Sequence, residues 1–261
     1  MKKIRFMGEN ILSYAEYGDS NGFPILIQHG LIASIKDSDL FESLIKMNRH
    51  IICIARPGYG GSSPYLMNGI SAWGEIITVI INELKLNNFD VLGMSSGAPY
   101  SYAIGYKHPD KVRNIYVYSG TPALYDEVIQ SKWPFEITKD KDITEFKKIA
   151  YSVFFSGLKE DEKKRNDIED SMMNDCFGVA LDLKIRFMDW GFTLADVKSA
   201  VFMQHSRTDD TVPIALAERT AQLLPNCKLE IVEDEPHFSN ETLNKFIKNT
   251  IENGRIDHEN A

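Results

Sequence analysis

The chain has 261 residues, of which 43% are hydrophobic and 25% are charged, and these proportions are typical of a globular protein. A chain of this length buries roughly three quarters of the surface that its unfolded form exposes, so we expect its stability to need neither disulfides nor a metal ion. The formal net charge of −8 argues against a nucleic-acid partner, because proteins that bind phosphate backbones carry a basic surface.

The cysteines and the N-terminus give no sign of a redox centre or of a targeting segment. Cys53, Cys176 and Cys227 are widely spaced and form no Cys-x-x-Cys pair, so we expect three core residues and no zinc site. Residues 1–6 are basic but precede no apolar run, which is unlike a signal peptide. No stretch approaches the roughly 20 apolar residues of a membrane span. The sequence therefore predicts a cytoplasmic protein without a membrane partner.

Strand-like and helix-like segments alternate over the first half of the chain. Short apolar runs are typical of strands that are buried on both faces of a parallel sheet, whereas apolar residues spaced by three and four indicate helices. In chain order, these patterns predict strands at Lys2–Met7, Ile11–Tyr17 and Pro24–Gln28, a helix at Asp39–Met47, a strand at Ile51–Ala55, a helix at Ser71–Leu86, a strand at Phe89–Leu92, a helix at Ala98–Lys107 and a strand at Val112–Ser119. The first helix is expected to bury Leu40, Phe41, Leu44 and Ile45 on one face.

The pattern changes between about Thr121 and Phe192, where the chain is helical, charged and rich in methionine and aromatic residues. The alternation then returns with a strand at Ala200–Gln204, a helix at Ile214–Leu224, a strand at Lys228–Val232, a helix at Phe238–Asn253 and a polar tail, Arg255–Ala261, that we expect to be frayed. Such alternation favours an α/β fold with a mostly parallel central sheet and helices on both faces. We interpret residues 121–192 as a helical lid insertion in a single domain that spans residues 1–261.

The segment Gly93-Met94-Ser95-Ser96-Gly97 lies between a predicted buried strand and a predicted helix. A G-x-S-x-G sequence in this setting is typical of a nucleophile elbow, in which a sharp, strained turn presents the serine hydroxyl in a cleft. Small residues two positions before and two after the serine let the strand and the helix approach closely. Ser95 is thus the predicted nucleophile, and Ser96 is the local alternative.

Five segments, taken together and in this order, resemble the α/β-hydrolase family over nearly the whole chain. They are His29-Gly30-Leu31, Arg56-Pro57-Gly58-Tyr59-Gly60-Gly61-Ser62, Gly93–Gly97, His205–Pro213 and Pro236-His237-Phe238. The resemblance implies the α/β-hydrolase fold and catalytic residues in the chain order Ser, Asp or Glu, and His. Within the family, the second and third segments resemble those of esterases, C–C bond hydrolases and related small-molecule hydrolases.

A serine nucleophile needs a base within hydrogen-bond reach and an acid that orients the base. On the family's chain order we favour His237 as the base, with His205 as its rival, and Asp209 as the acid. The adjacent Asp210 remains open to a role as a helix cap. The other candidates are expected elsewhere: His29 as a support of the oxyanion loop by resemblance, His50 at the wrong end of the sheet, His108 at a surface helix cap, His258 in the tail, and Asp234 and Glu235 as exposed neighbours of His237.

Attack on an acyl carbon creates an oxyanion, which two backbone N–H groups usually stabilise. We expect these donors from Ser96, at the start of a helix whose dipole helps, and from Leu31. The loop Gly58–Ser63 lacks the last glycine of a G-x-G-x-x-G motif, and no Gly-Lys-Ser/Thr follows, so a nucleotide-binding loop is not predicted. We find no H-E-x-x-H or EF-hand pattern, and we expect no metal and no cofactor.

These residues predict a carboxylesterase-like serine hydrolase that cleaves an ester-like bond of a small molecule through an acyl-enzyme. A C–C bond hydrolase, an aminopeptidase or an acyltransferase on the same triad stays open, as does a non-catalytic ligand-binding role; the oligomeric state is not predicted. We expect the lid both to pack on the sheet and to line the pocket, using residues from among Trp133, Phe135, Tyr151, Phe154, Phe155, Met172, Met173, Phe177, Met188 and Trp190.

Overall fold

The computed structural model describes residues 1–252, and this part of the chain forms eight strands and nine α-helices. The strands are β1 (Lys2–Phe6), β2 (Asn10–Gly18), β3 (Pro24–Gln28), β4 (His50–Ile54), β5 (Phe89–Met94), β6 (Val112–Tyr118), β7 (Ala200–Ser206) and β8 (Cys227–Val232). The helices are α1 (Glu42–Lys46), α2 (Ser71–Ile76), α3 (Thr78–Glu83), α4 (Ala98–Lys107), α5 (Glu127–Lys132), α6 (Ile143–Phe154), α7 (Asn166–Ile185), α8 (Ile214–Leu223) and α9 (Asn240–Phe246), and a π-helical turn, Ile247–Glu252, follows α9.

All eight strands form one sheet in the order β1-β2-β4-β3-β5-β6-β7-β8. The pairs β1–β2 and β2–β4 are antiparallel, and every other neighbouring pair is parallel. Strand β3 is central: its Ile25 lies opposite Ile51 of β4 and Asp90 of β5. Strands β3 to β8 therefore form a continuous parallel set, and the loops that follow their carboxyl ends meet at one edge of the sheet.

Helices cover both faces of the sheet, because successive strand side chains point to opposite sides. Leu26 of β3 belongs to a core that includes side chains of α2, α3, α4 and α8, whereas Ile25 and Ile27 belong to a second core that includes side chains of α1 and α9. The mostly parallel sheet with two helical layers, predicted from the alternation of elements, is confirmed.

The chain between β6 and β7 forms α5, α6 and α7, and residues 121–192 include no strand. Helix α6 has a capping box at Asp142 and Glu145 and buries Phe146 and Ala150 against the second core. Helix α7 is interrupted at Met173–Cys176, where three successive residues have left-handed backbone angles.

Three helices differ from the sequence prediction. The segment expected as one helix at Asp39–Met47 begins as a 3₁₀ turn, and Ile45, expected in the buried face, is 39% exposed. The helix expected at Ser71–Leu86 divides at Ile77 into α2 and α3. There the Thr78 hydroxyl and His108 Nε2 both bond to the Gly74 carbonyl, and such back-bonding bends helices.

The last helix begins at Asn240, because the Ser239 hydroxyl accepts a hydrogen bond from the Thr242 N–H and caps it. Its expected end at Asn253, the tail Arg255–Ala261 and His258 lie outside the described residues. Within residues 1–252, no helix combines the length and the apolar character that crossing a membrane requires.

Candidate active site

Ser95 lies at the sharp turn between β5 and α4. The strand ends at Met94, a 3₁₀ turn covers Ser95–Gly97, and α4 begins at Ala98. The backbone of Ser95 is left-handed, with φ of +48°, which is strained for a residue other than glycine and persists only where the surroundings enforce it. One such constraint is the hydrogen bond of 2.9 Å from the Thr121 N–H to the Ser95 carbonyl oxygen.

The two flanking glycines are required by close packing. A Cβ atom on Gly97 would lie 2.0 Å from the carbonyl oxygen of Gln28 at the end of β3. A Cβ atom on Gly93 would lie 2.3 Å from the Ser101 hydroxyl and 3.0 Å from the Cα of Ala98. The N-terminus of α4 therefore reaches β3 and β5 only because both positions lack a side chain.

The structure brings Ser95, His237 and Asp209 together from three separate loops. Ser95 Oγ lies 2.9 Å from His237 Nε2, and His237 Nδ1 lies 2.8 Å from Asp209 Oδ2. The other carboxylate oxygen, Oδ1, accepts the backbone N–H groups of Thr211 and Val212 at 2.9 and 2.8 Å. This chain of hydrogen bonds has the order and the distances that a serine nucleophile, its base and its orienting acid need.

The environment of Asp209 keeps its carboxylate charged. Burial opposes ionisation, but the hydrogen bonds from His237 and from the Val212 N–H outweigh it and hold the pKa of Asp209 below its ordinary value. The neighbouring Asp210 is exposed and accepts only the Thr211 hydroxyl among the described residues. Helix α8 begins after Pro213 without a side-chain cap, so the alternative role of Asp210 as a cap is wrong.

His205, the rival base, is buried beside the acid. Its Nε2 lies 2.8 Å from the Val212 carbonyl oxygen and 3.3 Å from Asp209 Oδ2. Burial lowers the pKa of His205, so its neutral ring can donate this N–H to the carbonyl. His205 thus contacts the carboxylate that also bonds to His237, and this supporting position was missed when it was considered only as a competing base.

The loop after β3 passes directly beside the nucleophile. A Cβ atom on Gly30 would lie 3.9 Å from the Ser95 Cβ. The Leu31 N–H makes no hydrogen bond to any residue of the described chain, and Ser96 follows the nucleophile in the turn that precedes α4. The two backbone groups expected to form an oxyanion hole therefore come from loops that border Ser95.

Arg56 and His29 fix the shape of this loop. The Arg56 guanidinium donates to the carbonyl oxygens of His29 and Gly30 at 2.6 and 2.9 Å. Burial holds the pKa of His29 well below its ordinary value, so the neutral ring can donate from Nδ1 to the Gly30 carbonyl and accept the Arg56 backbone N–H at Nε2. These contacts agree with the supporting role that the resemblance implies for His29.

Asp182 on α7 completes the buried network, and the sequence reasoning missed it. Its two carboxylate oxygens accept hydrogen bonds from the Arg56 guanidinium and from the hydroxyls of Tyr59 and Tyr100, at distances of 2.6 to 3.4 Å. The available signal was a lone acidic residue within the apolar run Val179–Leu183, because a charge on the buried face of a helix requires a partner.

A cavity of about 1450 Å³ opens at the carboxyl ends of the strands, and Ser95, Ser96, Leu31 and His237 line it. Its apolar wall comes from both sides: Ile32, Ile35 and Met94 from the sheet side and Trp133, Phe135, Ile149, Val153 and Phe154 from residues 121–192. Of the ten aromatic and methionine residues proposed for the lid, Trp133, Phe135 and Phe154 line this cavity. Among the described residues, no cluster of three or more His, Cys, Asp or Glu side chains could hold a metal ion.

Comparison with known proteins places this geometry in a family. A family model described as the alpha/beta hydrolase fold matches residues 24–242, whereas the curated protein sequences include no significant match. Among solved structures, an esterase from Exiguobacterium antarcticum is similar at 18% identity and a TM-score of 0.73, with 94% of this chain and 98% of that chain covered.

Two further structures show the same fold. One, from a study of carboxylesterases of Nitrososphaera gargenis, has 13% identity and a TM-score of 0.73 and covers 100% of both chains. A bromoperoxidase from Bacillus anthracis has 17% identity and a TM-score of 0.66, with 93% of this chain and 94% of that chain covered. The family match over most of the chain identifies this protein as a member of the alpha/beta hydrolase fold family.

Proposed function

We propose that this protein is a serine hydrolase that cleaves an ester-like bond of a small molecule, with Ser95 as nucleophile, His237 as base and Asp209 as orienting acid. The observation that carries this proposal is the continuous chain of hydrogen bonds from Ser95 Oγ through His237 to Asp209, at 2.9 and 2.8 Å. Ser95 lines a cavity that has an apolar wall, and an apolar wall is what the acyl group of a substrate requires.

The reaction runs in two steps. His237 Nε2 takes the Ser95 proton as Oγ attacks the carbonyl carbon, and the protonated ring then gives that proton to the leaving alcohol. The negative charge on the former carbonyl oxygen is stabilised by the N–H groups of Leu31 and Ser96. Water, activated by the same histidine, then hydrolyses the acyl-enzyme and regenerates Ser95.

We also propose that residues 121–192 act as a lid over this site. The supporting observation is that Trp133, Phe135 and Phe154 of this segment share the cavity wall with residues of the sheet loops. A lid of this kind excludes water from the acyl-enzyme and shapes the space for the substrate. The names of two similar structures, an esterase and carboxylesterases, agree with an ester as the reacting bond.

Labelling with a fluorophosphonate tests the proposal, because the reagent reacts only with an activated serine. The unmodified protein should be labelled at Ser95, as located by peptide mass spectrometry, and Ser95→Ala should not be labelled. Ser96→Ala should still react at Ser95, since the substitution keeps the backbone N–H. Labelling that persists in Ser95→Ala would overturn the assignment. A panel of esters, peptides and diketones then separates esterase activity from peptidase and C–C bond hydrolase activity.

A further inference from the structure

Arg186 directly follows α7 and lines the catalytic cavity without a bonding partner. Its Nε atom is inaccessible to solvent and makes no hydrogen bond, although the side chain as a whole is partly exposed. Within residues 1–252, its guanidinium forms neither a hydrogen bond nor an ion pair. A partly buried arginine without a carboxylate partner is costly, because water solvates its charge only in part.

The carboxylate that acts electrostatically on Arg186 is already occupied. Asp182, one turn earlier on α7, has both oxygens bonded to Arg56, Tyr59 and Tyr100. Asp182 therefore neutralises the charge of Arg56, and the positive charge of Arg186 has no carboxylate partner of its own. Burial lowers the pKa of Arg186 to about 10, so the side chain is still charged at neutral pH.

A second unpaired donor lies beside the first. The Trp133 indole Nε1 is also inaccessible to solvent and has no hydrogen-bond partner among the described residues. The Arg186 guanidinium carbon is 5.7 Å from the centre of the Trp133 ring and 4.8 Å from that of Phe187. These contacts hold the guanidinium among aromatic rings, and both unpaired donors belong to residues of the same cavity wall.

Of the other cavity-lining cations, Lys164 and Arg165 are exposed, and the partly exposed Lys141 has no unpaired nitrogen that is inaccessible to solvent. Lys141, Lys164 and Arg165 also line the cavity, together with the acidic Asp37, Asp39, Glu136 and Asp167. Arg165 in particular bonds to Asp167 through two nitrogens, at 3.1 and 2.6 Å. The unmatched positive charge thus lies at Arg186 and not at the exposed, already paired Arg165.

We propose that Arg186, held against the Trp133 ring, forms a carboxylate-binding subsite, and that the substrate is an ester-like molecule with a carboxylate remote from the bond that is cleaved. This inference rests on the proposed hydrolase function and specifies its substrate class. A carboxylate fits because the guanidinium fork binds a planar pair of oxygens, and because a single negative charge neutralises the single positive charge of Arg186. A phosphate dianion would leave a buried negative charge unpaired.

A pair of ester series tests the subsite. One series is the mono-p-nitrophenyl esters of straight-chain dicarboxylic acids of increasing length, and the other has the free carboxylate capped as a methyl ester. The measured quantity is the ratio of kcat/KM for each acid to that for its methyl ester. We expect the unmodified protein to prefer the acid at the chain length that spans from Ser95 to Arg186. Phosphate-ended esters of the same lengths should show no such preference.

Variants assign the preference to the two side chains. Arg186→Gln should reduce the acid-to-methyl-ester ratio about 10- to 100-fold, which is the contribution of a charge-assisted hydrogen bond. Trp133→Phe keeps an aromatic ring beside the guanidinium and should reduce the ratio less. Arg165→Gln is the matched control, because it removes a cavity-lining arginine that already has a partner, and should leave the ratio unchanged. Thermal unfolding verifies that each variant is folded. If Arg186→Gln is not, Arg186→Lys provides the test, because it keeps the charge but loses the planar fork and should also reduce the ratio.

Two results would contradict the subsite while leaving the hydrolase proposal intact. One is labelling of Ser95 with hydrolysis of methyl-capped esters but no preference for the acid at any length. The other is a preference that Arg186→Gln retains and Arg165→Gln removes. If Ser95 is not labelled, the hydrolase proposal fails, and calorimetric titration of the straight-chain dicarboxylates into the unmodified protein and into Arg186→Gln still tests the subsite. Binding that is equal in the two proteins would overturn it.

Discussion

Asp209 and Asp210 are neighbours in the chain, yet only Asp209 is buried against His237. Replacing Asp209 by Asn keeps the shape of the side chain but removes the charge that holds the histidine tautomer. We expect Asp209→Asn to lower kcat by about 10⁴-fold, as for the corresponding change in serine proteases. Asp210→Asn, which touches only Thr211 among the described residues, should change kcat less than about twofold. Steady-state hydrolysis of a p-nitrophenyl ester measures kcat for both variants. Equal losses of kcat in the two would contradict the assignment of Asp209 as the acid.

The lowered pKa of Asp209 also has a consequence for stability. The folded protein holds this pKa below the ordinary value because hydrogen bonds outweigh burial. A depressed carboxyl pKa stabilises the fold above its unfolded value of about 3.9 and loses that contribution as the pH falls through the folded value. We therefore expect the difference in free energy of unfolding between the unmodified protein and Asp209→Asn to shrink in urea titrations below about pH 4. A difference that grew towards low pH would contradict this.

At the scale of single residues, the sequence predicted the residues of the candidate triad better than their surroundings. Ser95, Asp209 and His237 stand in motifs that can be recognised locally, and the fold brings them within hydrogen-bond distance. The pairing of Arg56 with Asp182 joins residues that are 126 positions apart, and no local pattern encodes such a contact. Glu235, expected to be exposed, is instead half-buried and bonded to Gln204 and Lys245.

At the scale of elements, the close approach of α4 to β3 depends on the absence of a side chain at Gly97. Gly97→Ala would bring a Cβ to 2.0 Å from the Gln28 carbonyl, and backbone atoms in a packed core cannot move aside cheaply. We expect Gly97→Ala to destabilise the fold by about 2 to 3 kcal/mol, the upper part of the range for overpacking, and to reduce labelling of Ser95. Gly157→Ala is the control, because no atom lies within 4 Å of the added Cβ. Urea unfolding of both variants measures the difference.

Elements were predictable where local sequence agrees with tertiary packing. The strand Pro24–Gln28 and the helix Ala98–Lys107 have the bounds that their patterns indicate, since a buried apolar run and a helical repeat each specify one structure. The interruption of α7 at Met173–Cys176 was not predicted. It contains no glycine or proline, and the Asn174 side chain there donates to the carbonyl of Gly58, a residue far away in the chain. Such contacts override local propensity.

At the scale of the whole molecule, the sequence predicted the parallel sheet but not how residues 121–192 lie on it. The alternation of strands and helices restricts the topology to a few arrangements, whereas a helical segment rich in aromatic residues can pack in many ways. Its position depends on contacts such as that of Asp182 with Tyr59, Tyr100 and Arg56. The residues of the candidate site are therefore recognisable from motifs, whereas the shape of the cavity depends on packing that only the structure reveals.

The Arg56–Asp182 pair should contribute strongly to the attachment of α7 to the rest of the protein. Both side chains are almost fully buried and lie 2.6 Å apart, so Asp182→Leu leaves an uncompensated buried arginine. We expect a loss of about 3 to 5 kcal/mol in the free energy of unfolding, as for other broken buried pairs. Asp167→Leu breaks the more exposed pair with Arg165 and should cost at most about 1 kcal/mol. Urea unfolding of both variants compares them. Equal losses would mean that the buried pair does not attach α7, and that the apolar contacts of α6 and α7 alone hold this segment beside the candidate site.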